Sequence, residues 1–168
     1  MFSERQFDEH YKIYEGYIQK LNKQMKSLED SDPSVTTREF KRDFNYNYAG
    51  KLWHTLFFEQ FAGSPTRPND GLIETSFDNY KHWKDDFIKT ALTCRPAGWA
   101  FLCKSTMGEY FNISTDSHTE FLYGMEPLIV LDMYEHSFFI DYGQDKLAYI
   151  NDFIDSLNWD LISERDHA

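Results

Sequence analysis

From Phe7 to Phe61 the large apolar residues return every three or four positions, while from Trp99 to Leu131 they run together or alternate. A period near 3.6 belongs to helices with one buried face, and short apolar runs between turn residues belong to strands. No single repeat accommodates both, so the chain is constrained to an α+β fold with its helices first. Residues 4–28 read as one long helix, with Phe7, His10, Tyr14, Tyr17, Ile18, Leu21 and Met25 on one side. Asp30-Ser31-Asp32-Pro33-Ser34 is a turn, because proline cannot continue a helix. Thr36 or Thr37 caps the next helix, and Thr36 would form a capping box with Glu39. That helix, residues 37–62, carries Phe40, Phe44, Tyr48, Leu52, Trp53, Phe57, Phe58 and Phe61. Two long helices joined by a short turn make an antiparallel hairpin.

Gly63 to Gly71 holds two glycines and two prolines in nine residues and reads as a linker. It divides the chain into a helical hairpin domain at 1–68 and an α/β domain at 69–168. A third helix is expected at 77–94, ending before Arg95-Pro96-Ala97-Gly98. Residues 99–103 and 110–113 read as paired strands, and 127–131 as a third, buried one. From Glu135 through Leu157 the pattern is helical again, interrupted near Tyr142-Gly143. The expected architecture is an N-terminal long-helix hairpin followed by a small three-stranded antiparallel sheet flanked by helices.

At 168 residues the chain has enough core to fold without disulfides. Its 17 cationic and 28 anionic side chains leave a formal charge of −11, which argues against nucleic-acid binding. A small anionic ligand remains open, since a local cationic pocket can attract one within an acidic surface. No apolar run is long enough to span a membrane. The N-terminal MFSERQFDEHYK is charged, without a signal core, and Cys94 and Cys103 are too few for a disulfide framework. A cytoplasmic protein is expected.

The chemistry-bearing residues are sparse. Leu128-Ile129-Val130-Leu131 ends in Asp132, with His136 four residues on. That spacing suits an oxygen and a nitrogen on one metal ion, and equally an Asp that caps a turn beside an ordinary core histidine. His54 lies on a helix that is aromatic nearly all round, and His10 lies on the inner face of the first helix. A neutral buried imidazole needs a partner, be it a hydrogen bond or a metal. Taken together, His10, His54, Asp132 and His136 form a three-nitrogen, one-oxygen set suited to a redox-active first-row metal. His82 and His167 read as solvated.

Asp132-Met133-Tyr134-Glu135-His136, continuing to Tyr142, resembles the D-x-W-E-H-A-Y-Y segment of the iron/manganese superoxide dismutases. Asn158-Trp159-Asp160 resembles that family's C-terminal Asn-Trp-Asp, and Gly98-Trp99-Ala100-Phe101-Leu102 its G-W-A-W-L strand. Asn47, His54 and the Thr-Leu-Phe-Phe after it are similar to its N…NHTFYW helix, and Tyr17 to Asn22 to its Y-V-N-N-L-N. The resemblance implies a superoxide dismutase with one iron or manganese ion per subunit, ligated by His10, His54, Asp132 and His136. It implies that Tyr17 stands at the substrate funnel. It also implies a homodimer, in which Glu135 would meet His136 of the partner subunit and Tyr14 would lie at the interface. The family's solvent-bonding glutamine comes from four residues before the second ligand or from the sheet. Gly50 holds the first place here, which leaves the sheet side and His118. From the residues alone His118 reads equally as an exposed loop histidine. The chain departs from the family pattern at Tyr134 and Phe139, and in having one residue fewer between His10 and Tyr17. A catalytically silent structural or binding protein on the same fold is the alternative.

Overall fold

Helix α1 runs Glu4–Glu29 because Ser3 caps it, accepting from the Gln6 amide, and Lys26 sits in its last turn. The structure, a computed structural model, describes residues 2–68, 70–94, 97–120 and 122–167. The chain reverses through a 3-10 turn at Pro33–Thr36, where the Asp32 side chain accepts from the Ser34 amide. Thr37 rather than Thr36 then caps α2, Arg38–Glu59, its hydroxyl accepting from the Phe40 amide. Thr36 is taken up in the 3-10 turn, so the box with Glu39 does not form. The two helices pack as a hairpin, burying Gln6, His10 and Tyr17 of α1 against Asn47, Gly50, His54 and Phe57 of α2.

The linker is shorter than its composition suggests. Helix α3, Asp70–Phe77, begins inside it and buries Leu72 and Ile73. Helix α4 spans Tyr80–Thr93 instead of starting at 77, because Asp78 adopts φ 62° and Asn79 caps the new start. Asp tolerates that left-handed conformation better than most residues, so the backbone breaks there. Of the expected turns, Asn69 and Arg95-Pro96 lie outside the described residues.

Three antiparallel strands follow: β1 at Trp99–Ser105, β2 at Tyr110–Thr115 and β3 at Met125–Asp132, in the order β2-β1-β3. Trp99 stands opposite Thr115 on one side and Asp132 on the other, which sets the last residue of β3 beside the first of β1. Gly98 precedes it because a Cβ there would lie 1.9 Å from the Thr115 carbonyl oxygen. Pro127 lies on an outer strand at the register shift opposite Leu102 and Cys103, where its missing N–H breaks no ladder. The free edge of β3 is met by side chains, Arg165 donating to the Leu128 carbonyl at 3.0 Å and Gln60 taking both groups of Val130. Gln60, just past α2, donates from Nε2 to the Val130 carbonyl (2.7 Å) and accepts from the Val130 amide (3.1 Å).

The C-terminal region is more broken than its pattern predicts. A 3-10 turn at Glu135–Ser137 leads to a four-residue helix α5, Phe139–Tyr142, which ends at Gly143 with φ 54°. Helices α6, Lys146–Asp155, and α7, Trp159–Asp166, complete the chain. The last lies beyond the expected helical end and is started by Asn158, whose side chain accepts from the Asp160 and Leu161 amides. Trp83, Phe87, Tyr149, Phe153 and Trp159 fill the core against the sheet. Among the described residues no helix is long and apolar enough to cross a membrane.

Candidate metal centre

On α1, residues four and seven positions apart fall within about 40° and 20° of whole turns, so Gln6, His10 and Tyr17 share the buried stripe. On α2, Gly50 and His54 lie one turn apart on the face that meets it. β3 then delivers Asp132, fully buried, between the two helices. Its Oδ2 lies 3.0 Å from His10 Nε2, 3.1 Å from His136 Nε2 and 3.6 Å from His54 Nε2. One ligand-type atom from each of the four residues lies within 4.8 Å of all the others. The second carboxylate oxygen, Oδ1, accepts from the Tyr134 amide at 2.8 Å. Asp132 thus caps the turn with one oxygen and faces three imidazoles with the other.

His54 is the telling member. Its Nδ1–H donates to the Gly50 carbonyl at 2.6 Å, so the lone pair is on Nε2. That Nε2 is buried without a hydrogen-bond partner. A lone pair hidden from water, and turned toward a carboxylate and two more imidazole nitrogens, completes a donor set that suits a cation. Borderline nitrogen donors with one carboxylate are the chemistry of a first-row transition metal.

The scaffold around these groups is tightly fixed. Tyr149 Oη and Ser137 Oγ both donate to the Asp132 carbonyl, at 2.7 and 2.8 Å. Gln6 donates to the His136 carbonyl (2.7 Å) and accepts from the Ile140 amide (3.0 Å), which fastens α1 to the turn carrying His136. Burial opposes the charge on Asp132, yet His136 and His10 prevail and hold its carboxyl well below the usual carboxylate range. His10 is lowered by burial. His136, with burial against it, is raised by the Asp132 carboxylate.

His118 is buried at 2% exposure, so the exposed-loop reading does not hold. Trp99 Nε1, which can only donate, bonds His118 Nδ1 at 2.8 Å. The ring proton is therefore on Nε2, which donates to Tyr17 Oη at 2.9 Å. Trp53 Nε1 holds the His118 carbonyl at 2.9 Å. Burial pushes the Tyr17 phenol well above its ordinary range, so it keeps its proton.

Burial pushes His54 and His118 down to about 4 from an ordinary 6.5. Below 6.5 the unfolded chain protonates these rings while the folded one leaves them neutral, so stability falls with pH between 6.5 and about 4. For His118 alone the loss amounts to as much as about 3 kcal/mol in the metal-free chain; the raised His136 offsets part of the total. Urea denaturation at pH 7 and pH 4.5 measures it. His118→Gln should flatten the slope, and an equally steep slope in that variant would rule out this source.

Gly50 explains the closeness of Tyr17 to His54. A Cβ at position 50 would lie 2.6 Å from Tyr17 Cε1. Gly50→Ala gains about 1 kcal/mol of helix propensity but overpacks a ring, which costs about 1–3 kcal/mol. The expected result is a slightly less stable chain whose Tyr17–His118 bond is lost and whose metal content is kept. Chemical shifts of the His118 ring report it, and an unmoved resonance would show that the ring yields without displacement.

The remaining expected residues sit around this centre. Glu135 is exposed beside His136. Tyr14 is half-buried, donates to Thr55 Oγ1 (2.9 Å) and stacks on His54 at 6.3 Å. His82 and His167 are exposed, as expected. The sequence reading missed Gln6, Tyr46 and Trp53. Gln6 had a signal, lying one turn before His10 on the same stripe; Trp53 had none, since its neighbour His54 faces elsewhere.

A family model described as "Iron/manganese superoxide dismutases, C-terminal domain" matches residues 65–165. The chain is 31% identical to a protein named superoxide dismutase [Fe] from Aquifex aeolicus, over 97% of this chain and 83% of that one. It is 28% identical to the superoxide dismutase [Mn/Fe] of Aeropyrum pernix, over 93% of this chain and 78% of the other. It is 30% identical to a chloroplastic superoxide dismutase [Fe] 2 of Oryza sativa, over 97% and 70%. Matches that run through both the hairpin and the sheet make this chain a member of the iron/manganese superoxide dismutase family.

Proposed function

We propose that the chain dismutes superoxide at one iron or manganese ion held by His10, His54, Asp132 and His136. The observation that carries this is the buried, partnerless Nε2 of His54 within a set of three nitrogens and one oxygen. Bound there, such an ion supplies one-electron redox chemistry, by which one superoxide is oxidised to dioxygen and a second, with two protons, is reduced to hydrogen peroxide. The chain's own part is electrostatic and protic. Asp132 stays anionic and offsets a cation's charge where water is excluded. Gln6, Tyr149 and Ser137 hold the ligand turn in place, as the groups behind metal ligands commonly do. Tyr17 keeps its proton, and because His118 donates to it, its own O–H is left to the neighbouring Tyr46 hydroxyl or to an incoming anion that displaces it. His118 stands on the sheet side, where the resemblance puts the solvent-bonding group, but with Nδ1 taken by Trp99 and its one N–H given to Tyr17 it acts on the centre through Tyr17.

Elemental analysis and a dismutation assay on the metal-loaded chain test the reading together. One equivalent of iron or manganese with activity is expected. A well-folded chain that takes up neither metal would overturn it in favour of a silent relative, and a loaded but inactive chain would overturn the reaction.

We place a homodimer interface at the turn that carries Glu135. In support, Glu135 is exposed beside a half-open His136, with Phe139 and Ile140 bare at 51% and 43%. Tyr14, which the resemblance also puts at the interface, packs on His54, Tyr11 and Phe58. Glu135→Ala should weaken dimerisation by on the order of tenfold or more if the charge meets an imidazole across the two-fold axis; sedimentation velocity at graded concentrations measures it, and an unchanged profile removes Glu135 from the interface. A reducing, cytoplasmic setting fits two cysteines that are both free and buried.

A further inference from the structure

We propose that Tyr46 is the access gate of the centre, its ring selecting which small anions pass from an open cleft to the buried Tyr17–His118 pair. This rests on the dismutase reading above. Tyr46 lies on α2 one turn before Gly50, and it is 43% exposed although its inner edge touches the site. Its ring centroid is 4.9 Å from that of His118, edge to face at 62°, and 6.0 Å from that of Tyr17. Behind it the two rings are closed to solvent, Tyr17 at 9% and His118 at 2% exposure.

Outside the ring is a cleft of about 550 Å³, lined by Tyr46 together with Arg38, Arg42, Glu39, Asp43 and Thr119 among others. Thr119 follows His118 in sequence, so the floor of the cleft and the roof of the site are the same stretch of chain. The two arginines are matched by two carboxylates, so the cleft has little net field with which to choose among anions. Selection by size falls to the ring that closes it. A second cleft reaches His136, but it is lined by Glu135, Phe139 and Ile140, the face assigned above to the partner subunit.

An edge-to-face contact at 4.9 Å leaves no room for a molecule between the Tyr46 and His118 rings. Passage therefore requires the Tyr46 side chain to swing outward. That motion breaks the hydrogen bond between the Tyr46 and Tyr17 hydroxyls and carries the ring, already half in water, further into it. A diatomic anion needs a small excursion, and a bulkier one needs the ring fully displaced. Nothing in the ligand set itself discriminates in this way.

The test uses the full-length, metal-loaded protein and two probes, azide and the larger thiocyanate. Their association rates are read from the visible absorption of the ion. Tyr46→Ala should raise the azide rate on the order of tenfold and narrow the difference between the two anions. Tyr46→Trp should slow both probes, and Tyr46→Phe, which keeps the ring but loses the hydroxyl contact with Tyr17, should stay nearer the unaltered protein than Tyr46→Ala does. Equal rates in the Ala and Trp variants would overturn the gate while leaving the dismutase reading intact. An unaltered protein that holds no ion, or dismutes nothing, would instead overturn the dismutase reading and the gate with it.

Discussion

Replacing Asp132 with asparagine should cost the chain its metal while leaving its fold in place. The asparagine oxygen can still accept from the Tyr134 amide, as Oδ1 does now at 2.8 Å. Its NH₂ then takes the position of Oδ2, with two hydrogens among the Nε2 atoms of His10, His54 and His136, which lie 3.0–3.6 Å away. His54 gains a donor while His10 and His136 lose the acceptor at Oδ2, so the metal-free variant should be less stable by about 1–3 kcal/mol, too little to unfold a typical domain. An amide nitrogen offers a metal neither charge nor a lone pair, so affinity should fall by more than about 100-fold, beyond what loss of a group behind a ligand causes. Elemental analysis after dialysis against a weak chelator, beside urea denaturation of the apo forms, measures both. Unchanged stoichiometry would remove Asp132 from the ligand set.

Gln60→Leu should have the opposite profile: a large loss of stability with no change in the ligand residues. The side chain is fully buried, and its two hydrogen bonds complete the open edge of β3 at Val130. Leucine fills most of the volume but leaves a buried amide and a buried carbonyl unpaired. At about 1–3 kcal/mol for each orphaned group, the expected loss is about 2–6 kcal/mol, a large share of a typical domain's 5–15 kcal/mol. Chemical denaturation reads it. A loss below about 1 kcal/mol would mean that the edge finds other partners.

These two residues also mark what could and could not be read from the chain. Asp132 was legible because a carboxylate at the tip of an apolar strand is costly without a purpose, and because His136 follows at metal-ligand spacing. His10 and His54 were legible as imidazoles on buried helical faces. Helical periodicity likewise gave the hairpin, and apolar runs gave the three strands. Gln60 carried no signal: an amide that imitates a backbone neighbour looks like any helix-end glutamine until the strand beside it is known. α3 was hidden by the prolines and glycines before it, although Leu72 and Ile73 were there to be buried. The break at Asp78 depends on a left-handed backbone, which residue type allows but does not require. His118 was evenly balanced because its burial depends on two tryptophan indoles from distant elements, Trp53 and Trp99, closing around it.

The Asp132–His10 contact joins positions 122 residues apart, and the Gln6 clamp to His136 spans 130. A nascent chain still lacking its last third has no vessel for an ion, since the carboxylate and one imidazole have yet to be made. The full set of four side chains is thus completed late, well after the hairpin that carries His10 and His54 has been made.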